Sequence, residues 1–244
     1  QWSEKVTADA ATLFKPQIAR RVRYSMYSDT PVPPDEPMAE NPPDGAVINY
    51  YLNTGAAGGV TLDIVNAGGR VVRHYSSDDR FDAPKDEGNW PWYWYRPLSP
   101  LSAKAGLQRY VWDLHFAPPP VADFSLPISA TPHNTLREPE GPWAQPGTYR
   151  VKLTVGGKTY TQPLTVRMDP RVKTPAAGLQ QQSALSVALY DAVREGALIS
   201  TQIKALRVQC EARKSALASR DPSLTAAIEA FDKKLGELAG PTRG

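Results

Sequence analysis

Pro146-Gly147-Thr148-Tyr149-Arg150-Val151-Lys152-Leu153-Thr154-Val155-Gly156-Gly157-Lys158-Thr159-Tyr160-Thr161-Gln162-Pro163-Leu164-Thr165-Val166 is an alternating apolar run, a diglycine and a returning run. Side chains alternate across an extended strand, so Tyr149, Val151, Leu153 and Val155 share one face. Gly156-Gly157 supplies the left-handed residues of a two-residue hairpin turn, and Tyr160 to Val166 pairs back. Proline cannot donate a ladder hydrogen bond, so Pro163 predicts an edge position or a bulge.

The pattern recurs upstream. Ala46 to Leu52 is followed by Gly55-Ala56-Ala57-Gly58-Gly59 and then by Val60 to Val65, whose Val60, Leu62 and Ile64 lie on one face. Asn66-Ala67-Gly68-Gly69 is a hairpin turn, and Arg70 to Ser76 returns as its partner. Leu107 to Phe116 reads as a strand with Tyr110, Trp112, Leu114 and Phe116 on one side. Six or seven short antiparallel strands without intervening helices predict a β-sandwich. Two long inserts, 77–105 and 117–146, interrupt it, and loops of that length are commonly functional or docked onto something.

Both flanks differ in kind. From Thr30 to Gly45 the chain is dense in Pro, Asp, Glu and Asn, which favours extended, solvated backbone. Before it, Asp9 to Phe14 reads as a short helical turn and Arg21 to Tyr24 alternates. Residues 1–44 are thus expected to be a strap and Pro-rich linker from an upstream domain, followed by an immunoglobulin-like antiparallel sandwich over 45–172 and a helical hairpin over 173–244. In the last, Leu185, Leu189, Ala192, Gly196, Ile199, Ile203, Leu206, Cys210 and Leu217 follow four- and three-residue steps, the seam of a coiled-coil-like helix. Leu224, Ile228, Phe231, Leu235 and Leu238 form a second seam, with Asp221 as N-cap and Pro222 at the first helical position. The first helix would span ~60 Å and the second ~25 Å, leaving the seam from Leu185 to Ile199 without a partner in the hairpin. Leu185, Leu189, Ala192 and Ile199 are therefore candidate interface residues.

Composition narrows the function. Among the 244 residues the net charge is +3, with no Lys/Arg run longer than Arg20-Arg21, which argues against nucleic acid. Lone Cys210 can form neither an internal disulfide nor a thiolate metal site, and its seam position assigns it to the helical core. No stretch reaches the ~20 apolar residues of a membrane span. The start at Gln1-Trp2-Ser3, without Met or a signal-peptide pattern, is read as the result of upstream removal.

Asn41-Pro42-Pro43-Asp44-Gly45-Ala46-Val47-Ile48, Pro146 to Val151, Tyr160 to Val166 and Asp169-Pro170-Arg171 resemble the region after the β-propeller in large secreted bacterial proteins described as sortilin-like or sialidase-like glycosyl hydrolases with Asp-box repeats. The middle is also similar to the immunoglobulin-like domain of flagellar hook-capping proteins, through Gly68 to Arg73, Trp112-Asp113 and Pro146 to Tyr149. The likeness runs from about Pro31 to the C-terminus. It implies a secreted or periplasmic accessory module whose partner is the propeller or another subunit, with any glycosidase chemistry upstream and no catalytic residue to carry over. It also implies further helical sequence beyond the hairpin.

Asn89-Trp90-Pro91-Trp92-Tyr93-Trp94-Tyr95 concentrates aromatic rings in a loop. Trp90, Trp92, Tyr93, Trp94 and Tyr95 suit stacking on sugar faces or anchoring an interface, the plainer reading being that they cover one end of the sandwich. Asp78, Asp79, Asp82, Asp86 and Glu87 offer oxygen ligands, but their spacing is not that of a calcium loop, and a solvated acidic loop is expected. His74, His115 and His133 match no metal or catalytic motif, although Asp113 and His115 would share a strand face. The sequence therefore predicts no catalytic residue, metal or cofactor, and a module that docks onto a partner, with glycan binding by the 89–95 segment as the alternative.

Overall fold

The computed structural model describes residues 3–23, 35–37, 42–81, 94, 96–120, 134–135, 138–217 and 221–239. In chain order the elements are α1 (Glu4–Ala8), β1 (Ala11–Leu13), β2 (Ala19–Arg21), β3 (Ala46–Leu52), β4 (Val60–Val65), β5 (Val71–Ser76), β6 (Gly106–Trp112), β7 (Gly147–Val155), β8 (Lys158–Met168), α2 (Ala176–Leu217) and α3 (Pro222–Ala239). The protein is α+β, and it divides into two compact units, one holding both sheets up to Val187 and the other beginning at Ala188.

In the first unit the strands form a three-stranded sheet in the order β1-β3-β6 and a five-stranded sheet in the order β2-β8-β7-β4-β5. The β7–β8 hairpin pairs Tyr149 with Leu164 and Val155 with Lys158, and both turn glycines have positive φ, 54° at Gly156 and 79° at Gly157. Alternation decides which residues go inside. Ile48, Tyr50 and Leu52 of β3, Leu62 and Ile64 of β4, and Val151 and Leu153 of β7 are all buried. Each such aliphatic side chain contributes about 1.5–3 kcal/mol when fully withdrawn from water. Trp112 of β6 meets Tyr149 of β7 edge to face with ring centroids 5.3 Å apart, so the two sheets share this core. Its indole Nε1 donates to the His115 carbonyl at 2.8 Å, which satisfies the polar atom.

Three local expectations are corrected. An all-antiparallel arrangement does not hold, because β2 runs parallel to β8, pairing Ala19 with Val166 and Arg21 with Met168. β2 reaches this edge from the other sheet, so no hairpin constrains its direction. The segment Asp9 to Phe14 is not a helical turn. Ala11 and Leu13 are buried two residues apart as β1 pairs with β3, and burial outweighs helix propensity. The strand expected to run from Leu107 to Phe116 stops at Trp112. Leu114 takes φ 61°, and Leu114, His115 and Phe116 are buried consecutively, which a two-residue period cannot produce.

Residues 11–13 and 19–21, within the stretch read as a strap, thus supply an edge strand to each sheet. Pro163 is tolerated because β2 pairs β8 only over Val166 to Met168, leaving one side of β8 without a neighbouring ladder at the proline.

In the second unit α3 lies against the C-terminal half of α2. Ile203, Cys210 and Leu235 form its buried cluster, with Ile228 packed on it. Arg207 pairs with Asp232 at 2.9 Å and Lys214 with Glu229 at 3.8 Å, so residue numbers rise along one helix as they fall along the other. Asp221 caps α3, its Oδ1 accepting from Leu224 N at 3.0 Å.

Candidate functional site

A cleft of the first unit, about 300 Å³, opens beside β5 and β6. Arg73 and Tyr75 come from β5 and Tyr110 from β6, while Asp113 follows the strand end and Asp44 and Arg96 come from loops. The Arg73 guanidinium donates to the Phe116 carbonyl at 2.8 Å and lies 3.8 Å from Asp113 Oδ2. Burial by itself disfavours the charge on Arg73, but Tyr75 and Asp113 outweigh it and hold the pKa above its usual value. Tyr75 is buried, which pushes its phenol upward, as burial does for Tyr110, to about 12.

Arg96 ties three distant segments together. Its Nε donates to Asn134 Oδ1 at 2.7 Å and its Nη2 to Asp44 Oδ2 at 3.3 Å, while Asn134 Nδ2 donates to the same carboxylate at 2.9 Å. The backbone repeats the connection, with Arg96 N donating to the Thr135 carbonyl and Thr135 N to that of Trp94, both at 2.9 Å. Sequence reasoning missed this clamp: Asp44 is 52 positions from Arg96 and 90 from Asn134, and no local pattern joins them. The cleft therefore pairs two guanidiniums with two carboxylates, an arrangement that fixes loops in place.

Behind it, His115 is buried against Trp143, with ring centroids 3.8 Å apart, and its Nδ1 donates to the Asp113 carbonyl at 3.0 Å. Asp113 and His115, expected to share a strand face, both lie past the end of β6, and His115 N donates to Asp113 Oδ1 at 3.1 Å. Burial holds the imidazole below its usual pKa, with Asp113 opposing. Glu140, 3.8 Å from His115 Nδ1, is pushed up to about 7 by desolvation and by the charge on Asp113.

His74 makes a cross-strand contact with Asp63 at 2.6 Å. Asp79 accepts from Ser76 N at 2.8 Å and so closes the end of β5. Asp82, Asp86, Glu87 and His133 lie outside the described residues, as do Trp90, Trp92, Tyr93 and Tyr95. Trp94 is described, partly buried, with its indole N–H enclosed and unpaired. Among the described residues no cluster of three His, Cys, Asp or Glu side chains could hold a metal ion, and no helix is long and apolar enough to cross a membrane.

Of the helical candidates, Leu185 is 64% exposed, Leu189 59% and Ile199 48%, and Ala192 is exposed as well. They share a face with Ile203 and Cys210, which do pack on α3. With 42 residues in α2 and 18 in α3, the helices are roughly 63 and 27 Å long. The Arg207–Asp232 pair sets Ala239 level with about position 200 of α2, so α3 does not reach the preceding stretch.

No known protein family, curated protein or solved structure matches the chain.

Proposed function

We propose that this chain is a non-catalytic interaction module of a larger secreted or periplasmic protein: an immunoglobulin-like sandwich bearing an antiparallel, coiled-coil-like helical hairpin, which docks on an upstream β-propeller or another subunit. The observation that carries the reading is the exposed face of α2 at Leu185, Leu189, Ala192 and Ile199, beyond the reach of α3. An apolar row of this kind on a helix is withdrawn from water by a partner, at ~25 cal/mol per Å² of apolar area. The apolar core shared by the two sheets supports the sandwich, and the opposed ion pairs support the hairpin. The clamp around Arg96 supports a scaffold role for the cleft, since its charged groups are engaged in holding loops.

Glycan binding by residues 89–95 is the competing reading. Trp94 has an enclosed indole and backbone bonds to Thr135, which favour packing over a free stacking surface for that ring. The test is co-expression with the polypeptide encoded upstream in the same reading frame. Co-purification, reduced roughly tenfold or more by joint Leu185→Asp and Leu189→Asp with helicity unchanged, is the expected result. Independent migration of the two pieces, or glycan binding abolished by Trp94→Ala, would refute the docking reading.

A further inference from the structure

The helical region has two unlike flanks. At about 100° per residue, Arg207 and Lys214 of α2 and Asp232 and Glu229 of α3 fall on the same side of the line between the helices, where their ion pairs seal it. On the opposite side stand Ile199 and Leu206 of α2 with Phe231 and Leu238 of α3. They are 48, 38, 48 and 76% exposed. We infer that this flank is a dimer interface: the helical region packs it face to face against the same flank of a second copy of the chain, across a two-fold axis. The inference rests on reading the chain as an interaction module and names one partner for it.

Size and charge both point to a second copy. At ~200 Å² per large side chain the four residues present roughly 400 Å² of apolar surface, and the polar rim around such a core brings a copy's share to ~600 Å². That is the lower end of the range for specific protein interfaces. The register of Arg207 with Asp232 sets Phe231 level with about position 208 of α2 and Leu238 level with about 201, so the apolar patch centres near position 204.

Glu195 and Arg213 are exposed on the rim of that flank, about nine residues to either side of the same centre. Among the described residues neither takes part in an ion pair within the chain. A two-fold axis through the centre stacks α2 on α2 of the second copy in the opposite sense and lays Phe231 over Leu238. It also brings Glu195 of each copy opposite Arg213 of the other. Isologous contacts of this kind are made by one self-complementary patch. Lys234 also lies near the axis, on the outer rim, where its long stem carries the ammonium out to water.

Sedimentation velocity on the whole chain tests the inference. The expected result is a concentration-dependent species of twice the 26.7 kDa chain mass at micromolar concentrations, lost in Phe231→Asp while helicity at 222 nm is kept. Glu195→Arg and Arg213→Glu should each weaken the dimer roughly tenfold, and the double swap should restore it. A wild-type chain that stays monomeric to ~200 μM would overturn the inference, with the outcome of co-expression still judging the module reading separately. A dimer indifferent to Phe231→Asp, or single swaps with no rescue in the double, would overturn it as well, because the contact would then lie elsewhere.

Discussion

At the scale of single residues, close approach decides more than propensity does. Gly45, at φ +132°, faces the end of β6 so closely that a Cβ would stand 2.0 Å from the Trp112 carbonyl oxygen, and one on Gly141 would stand 2.3 Å from that of Phe116. Backbone cannot yield as a flexible side chain can. Gly45→Ala and Gly141→Ala should each lower the urea-unfolding free energy by about 3 kcal/mol or more, while Gly157→Ala, strained in φ but surrounded by open space, should cost about 1–2 kcal/mol. Glu140 gives a prediction in pH. The folded chain keeps a proton on this carboxyl up to about pH 7, whereas the unfolded chain releases it near its ordinary value of 4.5, so the Glu140 contribution to stability falls as pH rises between them. His115 contributes the opposite slope as pH rises towards 6.5, because its folded form resists protonation. Glu140→Gln should match the wild type at pH 4 and exceed it at pH 8. The gain should be only ~1 kcal/mol, since the Glu140 side chain is 34% exposed and solvent screens it. Denaturation curves at both values measure this, and a variant less stable at pH 8 would contradict it.

At the scale of elements, a cap, a row of apolar contacts and the ion pairs to α2 hold α3 in place. Asp221→Ala leaves Leu224 N without its acceptor and should cost the helical region about 1 kcal/mol. Leu235, 6% exposed, sits in the cluster with Ile203 and Cys210, so Leu235→Ala should cost 2–3 kcal/mol by opening a cavity that neighbouring side chains close only in part. Leu224→Ala, at a position 45% exposed, should cost well under 1 kcal/mol in the same helicity-monitored melts. Equal losses at positions 224 and 235 would mean that the two helices pack through a different face.

At the scale of the whole molecule, the chain reports on its two units separately. All six tryptophans of the sequence precede Val187, whereas most of α2 and all of α3 follow it and belong to the second unit. Tryptophan emission and ellipticity at 222 nm should therefore give denaturation midpoints that do not coincide. Leu235→Ala should move the second and spare the first. Superimposable curves in wild type and variant would show that the units unfold as one.

The alternating rows at Tyr149 to Val155 and Val60 to Val65, the diglycine turn, the Asp221 cap and the seam through Ile203 and Cys210 were legible in the amino-acid sequence. In each, the cause acts within a few residues: side-chain period, φ preference or a short-range hydrogen bond. The pairing of Ala11–Leu13 with β3, the parallel entry of β2 beside β8, the turn at Leu114 and the clamp joining Asp44, Arg96 and Asn134 were decided by tertiary structure alone. Apart from the turn, they join residues roughly 40 to 150 positions apart, whose contacts form only once the core around Trp112 has brought the segments together, and no local periodicity encodes that meeting.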